Sequence, residues 1–144
     1  MKLLVINGPN LNLLGLREPA LYGNQDYASL KRLILETCQQ AGITVTQFQS
    51  NHEGAIVDEI QKAHNTQDAI LINPAAYTHT SIAILDALKA INLPAVEVHL
   101  TDIQTREPFR RHSYTGLACI KTIAGQGFDG YRQGILFLKA HLDQ

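Results

Sequence analysis

The chain has 144 residues, 45% of them hydrophobic and 17% charged. Soluble domains most often run to about 100–150 residues, and one of this size can bury a core without disulfides or metals. Charge so far below the roughly 25% of an average soluble protein excludes disorder and coiled coil. Twelve Lys and Arg against 13 Asp and Glu leave no overall field to attract nucleic acid. A near-neutral, sparsely charged chain also suits burial of part of its surface in a homo-oligomer.

Cys38 and Cys119 stand alone, with no CxxC pair. They read as reduced core thiols, which points to the cytoplasm. The apolar run after Lys2 is too short for a signal peptide and reads as a buried strand. No run approaches the roughly 20 apolar residues of a membrane span. A single cytoplasmic domain over 1–144, with no membrane or nucleic-acid partner, is the expectation.

In chain order, residues 2–7 are apolar and β-branched and break at Gly8-Pro9, which predicts a first strand. Asp26 caps a helix from Tyr27 to about Ala41, with Leu30, Leu33, Ile34 and Cys38 on one face and Gly42 as its stop. A second strand covers 43–49. Ser50 and Glu53 have the capping-box spacing and open a helix to about His64. Residues 69–73 form a third strand, and Thr80 or Ser81 caps a helix to Ile91. A fourth strand (94–99), a fifth (119–124) and a last helix (127–142) complete the chain. Strands alternating with helices predict a parallel sheet covered on both faces. Five such strands suggest an α/β, flavodoxin-like three-layer sandwich of order 2-1-3-4-5, with its site at the carboxyl ends of the strands.

Polar residues gather at that edge. The connection from Asn7 to the first helix is far longer than the 2–6 residues usual there. With its glycines and prolines it suits an active-site lid around 15–24. Arg17 and Tyr22 lie on it. A Tyr that acts as a base near neutrality needs its pKa lowered from about 10, and a nearby guanidinium acts in that direction; the alternative is that Tyr22 packs the loop while Arg17 faces solvent. Glu97 and His99 stand two apart on the fourth strand, hence on one side of it. A carboxylate there fixes an imidazole's tautomer and raises its proton affinity, which suits a general acid, unless the pair is only structural. Asn10, Asn12, Asn73 and His79 are uncharged hydrogen-bonding groups on loops, suited to a hydroxylated or keto substrate or else to turns. Arg106 and Arg110 either clamp a carboxylate or pair with Glu107.

Gly125-Gln126-Gly127-Phe128-Asp129-Gly130 matches GxGxxG, but the chain is too short beyond it for a dinucleotide site. It reads as a tight turn into the last helix. The six His show no i, i+4 pairing, so no metal is expected. Neither a GxSxG elbow nor a GKS/T phosphate loop occurs.

The run Asn7-Gly8-Pro9-Asn10-Leu11-Asn12-Leu13-Leu14-Gly15-Leu16-Arg17-Glu18-Pro19-Ala20-Leu21-Tyr22-Gly23 resembles the opening of the type II 3-dehydroquinases. Three later segments are similar to the same family: Asn73-Pro74-Ala75-Ala76-Tyr77-Thr78-His79-Thr80-Ser81, Glu97-Val98-His99-Leu100-Thr101, and Arg106-Glu107-Pro108-Phe109-Arg110-Arg111-His112-Ser113. Four motifs in order, over essentially the whole chain, make the likeness specific. It favours the base over the packing role for Tyr22.

The resemblance implies a flavodoxin-like protomer and a homododecamer built as a tetramer of trimers. It also implies a cofactor-free anti elimination that turns 3-dehydroquinate into 3-dehydroshikimate through an enol(ate), in the shikimate (aromatic amino-acid) or quinate pathway. On that likeness Tyr22 as tyrosinate removes the C2 proton and Arg17 lowers its pKa. Asn10 holds a water that stabilises the enol(ate) oxygen. His99, oriented by Glu97, protonates the departing C1 hydroxyl. Asn73, His79, Leu100, Thr101 and Arg110 hold the substrate's carboxylate and hydroxyls. Arg106 supports the closed lid, and Asp86 on the third helix reaches a neighbouring subunit's site. Pro74 departs from the small residue common there and stiffens its loop.

The lysines lie away from these clusters, which disfavours a Schiff-base route. A keto-acid or phosphate-handling lyase would need an anion nest that the first loop does not offer. A receiver-like signalling module would need acids where Asn7, Asn10 and Asn73 stand. A binding module without activity would lack Tyr22, Arg17 or His99, and all three are present.

Overall fold

The computed structural model describes residues 1–16 and 25–144. Five strands, β1 (Lys2–Asn7), β2 (Thr44–Gln49), β3 (Ala69–Asn73), β4 (Ala95–His99) and β5 (Lys121–Ala124), pair in the order β2-β1-β3-β4-β5. Every pairing is parallel. Among the described residues, α1 (Tyr27–Gln40), α2 (Glu53–Lys62) and α3 (Ile82–Ile91) lie between successive strands, short 3₁₀ turns link β4 to β5, and α4 (Asp129–Leu142) follows β5. The flavodoxin-like expectation holds, strand order included.

Alternation along the inner strands divides the core in two. Leu3, Val5, Leu71, Val96 and Val98 pack with Leu30 and Ile34 of α1 and Ile135 and Leu138 of α4. Leu4, Ile6, Ile70, Ile72 and Ala95 pack with Ile56 and Ile60 of α2 and Ile84 and Leu88 of α3. β1 and β3 are therefore apolar on both faces up to their terminal Asn, as central parallel strands must be, while β4 is apolar throughout on one face only. Glu97 and His99 share the parity of Ala95 and point to the α2–α3 side.

The helix signals hold in part. Asp26 accepts the Ser29 N–H at 2.8 Å, and of the two candidates for α3, Ser81 is the cap, accepting the Ile84 N–H at 3.0 Å. Gly42, at φ 70°, is the left-handed stop after α1. The capping box at Ser50 does not form. His52 is the N-cap of α2 and makes no side-chain cap bond. Ser50 instead accepts the His52 N–H at 3.0 Å, because the helix starts two residues later than the capping box requires, with Glu53 as its first residue rather than its third. β2 and β5 begin later than predicted, at Thr44 and Lys121, because Ile43 closes the turn after α1 and a short 3₁₀ turn, Thr115–Ala118, occupies the run-up to β5.

Gly8 allows β1 to end hard against the start of the loop after β3. Its N–H donates to Asn73 O at 2.8 Å, and a Cβ there would lie 2.4 Å from Pro74 O. The GxGxxG segment is indeed a turn, with Gly125 and Gly127 both at positive φ. Its amides donate to His99 O (3.3 Å, from Gly125) and Leu100 O (3.1 Å, from Gly127), tying the turn to the end of β4.

Candidate active site

A cleft of about 650 Å³ opens outside the carboxyl ends of β1, β4 and β5, where an open α/β sheet binds its ligand. The loops after β1, β4 and β5 form its walls. Asn10, Leu100, Thr101 and Arg106 line it, as the sequence suggests. Asn10 sits at φ 71°, the left-handed region Asn tolerates best after Gly, and its N–H donates to Asn51 Oδ1 at 3.1 Å. Gln49 Nε2 braces the same loop through Gly8 O at 3.1 Å and Asn12 Oδ1 at 3.3 Å. Arg17, Tyr22 and most of the expected lid lie outside the described residues; Gly15 and Gln25, on either side of them, both line the cleft.

β4 carries Glu97 and His99 at its carboxyl end, just before Leu100 and Thr101 enter the cleft wall, though neither side chain is among the lining residues. Glu97 is fully buried and His99 is 6% exposed. His99 Nε2 lies 3.2 Å from Glu97 Oε2, though off the line of a good hydrogen bond. Three hydroxyls converge on the carboxylate. Thr78 Oγ1 and Ser113 Oγ each donate to Oε2 at 2.5 Å, and Thr122 Oγ1 donates to Oε1 at 3.1 Å. Thr122 is there by register, since it pairs with Glu97 across β4 and β5. Burial alone pushes the Glu97 carboxyl up; the contact and charge of His99, with the Ser113 and Thr78 hydroxyls, outweigh it and hold the group below its ordinary value. Burial, assisted by the Glu97 charge, pushes the nearby Cys119 thiol up to about 12, so it is inert.

The remaining predicted residues lie off the cleft lining. Asn73, 3% exposed, accepts the Ala75 N–H at 3.1 Å and donates to the Tyr131 hydroxyl at 2.9 Å. His79 Nδ1 is 2.7 Å from His112 O. A carbonyl only accepts, so the proton sits on Nδ1. Arg110 Nε is 2.8 Å from Glu107 Oε2 and Arg106 Nε is 4.0 Å away, the ion-pair alternative raised by the sequence. Asp86 is exposed on α3. Gln25, Gly127 and Phe128 also line the cleft without having been singled out as site residues. Only the GxGxxG turn hinted at the last two. Among the described residues, no three His, Cys, Asp or Glu side chains are grouped to hold a metal ion, and no helix is long and apolar enough to cross a membrane.

These features define an α/β protein with a cleft and a buried carboxylate–imidazole pair at the carboxyl edge of a flavodoxin-like sheet. A family model described as dehydroquinase class II matches residues 1–139. The 3-dehydroquinate dehydratase of Clostridium acetobutylicum is 53% identical over 144 residues, covering 100% of both chains. A catabolic 3-dehydroquinase of Talaromyces marneffei is 48% identical over 92% of this chain and 76% of its own length. The crystal structure of a type II dehydroquinase from Butyrivibrio crossotus superposes with a TM-score of 0.91 at 50% identity, over 96% of this chain and 97% of that one. The chain belongs to the class II dehydroquinase family, the type II 3-dehydroquinate dehydratases.

Proposed function

We propose that this chain dehydrates 3-dehydroquinate to 3-dehydroshikimate by a cofactor-free anti elimination through an enol(ate). The observation that carries the reading is the buried Glu97–His99 pair at the end of β4, directly before Leu100 and Thr101, which line the cleft with Asn10 and Arg106. A proton beside a ketone is weakly acidic, so the reaction needs a strong base, a stabilised oxyanion and an acid for the departing hydroxide. His99, on a rigid strand, serves as the acid. Tyr22 as tyrosinate, with its pKa lowered by Arg17, serves as the base from a lid around 15–24 that excludes water on closing. Asn10 holds the water that stabilises the oxyanion. Leu100, Thr101, Asn73, His79 and Arg110 hold the carboxylate and hydroxyls, and Arg106 supports the closed lid.

The whole of 1–144 serves as one catalytic domain working in the cytoplasm, on the shikimate route to aromatic amino acids or on quinate breakdown. The working form is a homododecamer, a tetramer of trimers, in which Asp86 reaches a neighbour's site. Asp86 stands one helical turn from Ile82, which is 53% exposed on the same face of α3. Leu117 and Ile120, at 64% and 47%, are exposed on the segment leading into β5, which packs beside α3. Exposed apolar side chains of this kind suit a subunit contact. A stable, fully active monomer in sedimentation would remove that assembly and the role of Asp86.

The test of the reaction is growth of the conjugated enone absorbance when the protein meets 3-dehydroquinate. Turnover should survive borohydride and chelator and fall by at least about 10²-fold in Tyr22→Phe and His99→Asn. No turnover by folded wild-type protein would overturn the proposal.

A further inference from the structure

The crowding at Glu97 Oε2 has a chemical consequence. Three groups meet that single oxygen: the hydroxyls of Thr78 and Ser113 at 2.5 Å each, and His99 Nε2 at 3.2 Å. The hydroxyl oxygens are 2.9 Å from each other. Each hydroxyl has one proton, so while both donate to the carboxylate neither donates to the other. Ser113 Oγ also accepts the Gly116 N–H at 2.9 Å, which turns its proton toward Glu97 or Thr78. Thr78 is fully buried, and its carbonyl accepts the Tyr114 N–H at 2.8 Å, so both hydroxyls are held by the backbone around them. Gly116 leaves room for this arrangement. A Cβ there would come within 3.2 Å of Glu97 Oε1, 3.3 Å of Ser113 Oγ and 3.4 Å of Thr122 Oγ1. The imidazole is the most distant of the three and makes no well-aligned hydrogen bond.

We propose that Thr78 and Ser113 are positioning residues for the dehydration: two hydroxyl donors that compete with His99 for Glu97 Oε2 and so keep the imidazole proton available for the leaving group. This rests on the reading of His99 as the acid. In that step the C1–O bond breaks and its electron pair leaves on oxygen. The oxygen takes the proton from His99 and departs as water, while the enolate pair becomes the new C=C bond. A carboxylate with no other donors binds an imidazole proton more tightly, making the pair a weaker acid. Every hydroxyl donated to Glu97 opposes that. The titratable groups facing Glu97 among the described residues are His99, on its own strand, and Cys119, from the segment before β5. Cys119 stays a neutral thiol, so the hydroxyls set the balance.

The test removes and restores hydroxyls. Ser113→Ala and Thr78→Val should raise the titration midpoint of the Glu97–His99 pair by about one unit, from the strength of a hydrogen bond to a charged group. The midpoint is followed by imidazole NMR on the full chain without substrate, with the His99 resonance assigned by its loss in His99→Asn. The alkaline limb of kcat should move up in parallel, kcat at its plateau should fall about threefold to tenfold, and KM should stay within about twofold. Ser113→Thr and Thr78→Ser should restore the wild-type midpoint. Thr122→Val, at an exposed position on β5, removes the weaker contact and should shift the midpoint the same way by less, even if the buried variants fold poorly. An unmoved midpoint in Ser113→Ala and Thr122→Val overturns the proposal, as does Ser113→Thr behaving like Ser113→Ala. Full activity in His99→Asn would instead remove the role of His99 as the acid, and the NMR midpoints would still report on the competition.

Discussion

Tyr131, buried on the last helix, donates its hydroxyl to Asn7 Oδ1 at the end of the first strand, 2.6 Å away. The Tyr131 hydroxyl oxygen in turn accepts the Asn73 Nδ2 proton from the end of β3 at 2.9 Å. One phenol thus joins the carboxyl ends of β1 and β3, the two strands between which the strand order reverses. Burial pushes its pKa up, so it stays a neutral donor.

Removing that hydroxyl in Tyr131→Phe leaves Asn7 Oδ1 and Asn73 Nδ2 without their partner. An unsatisfied buried polar group costs about 1–3 kcal/mol, and urea unfolding should register a loss in that range. Asn73 would also lose one of the two contacts that fix its amide, keeping only the Ala75 N–H on Oδ1. KM for 3-dehydroquinate should rise several-fold if Asn73 binds substrate as proposed, and should stay put if it only ends the strand.

Two glycines give opposite expectations. Gly8→Ala drives a Cβ to 2.4 Å from Pro74 O, a backbone atom that cannot step aside. Overpacking of this kind costs about 1–3 kcal/mol or more. Because the loop carrying Asn10 starts here, activity should fall with stability. Gly54, early in α2, has nothing within 4 Å of an added Cβ. Gly54→Ala should stabilise the chain by about 0.5–1 kcal/mol, since Ala loses less backbone freedom in a helix. Thermal melts of the two variants should move in opposite directions.

The strands and helices were legible because burial writes itself into periodicity. Two-sided apolar runs gave β1, β3 and β4, and Asp26, Gly42 and Ser81 punctuated the helices where predicted. The polar pair on β4 stood out because Glu97 and His99 interrupt such a run. What surrounds them was not legible. Thr78, Ser113 and Thr122 come from three separate segments, and only the β4–β5 register and two irregular turns bring their hydroxyls to one carboxylate. Ser50 failed as a cap for a related reason: the spacing was right, but the local turn, set by how β2 meets α2, spent its oxygen on His52. The engagement of Arg110 by Glu107 was open in the sequence, since either partner suits a guanidinium.

That ion pair yields a prediction of its own. Glu107 is exposed, and the guanidinium of Arg110 also lies over the exposed ring of Phe109, 5.0 Å from its centroid. Surface pairs contribute little stability, so Glu107→Gln should leave the melting temperature unchanged. If Arg110 binds the substrate's carboxylate, Arg110→Ala should raise KM by about tenfold or more, the range of a hydrogen bond to a charged group, while Glu107→Gln leaves KM equal or lower. An Arg110→Ala variant with unchanged KM would reduce the residue to its surface pair.

The buried carboxylate links folding to pH on the acid side. Glu97 is held below its ordinary value of 4.5 in the folded chain. As pH falls below that value, the unfolded chain takes up the proton first. The stabilisation is therefore fully present above about 4.5 and is lost as pH drops through the lowered folded pKa. Glu97→Gln removes the titrating group while keeping its size. Near neutrality it should destabilise the chain by about 1–3 kcal/mol, through the lost charge-assisted hydrogen bonds. Below 4.5 its stability should fall less steeply with pH than the wild type's, so the two unfolding curves converge. Urea melts from pH 7 down to pH 3 decide it. Curves that run parallel to the lowest pH would show that other carboxylates carry the acid sensitivity.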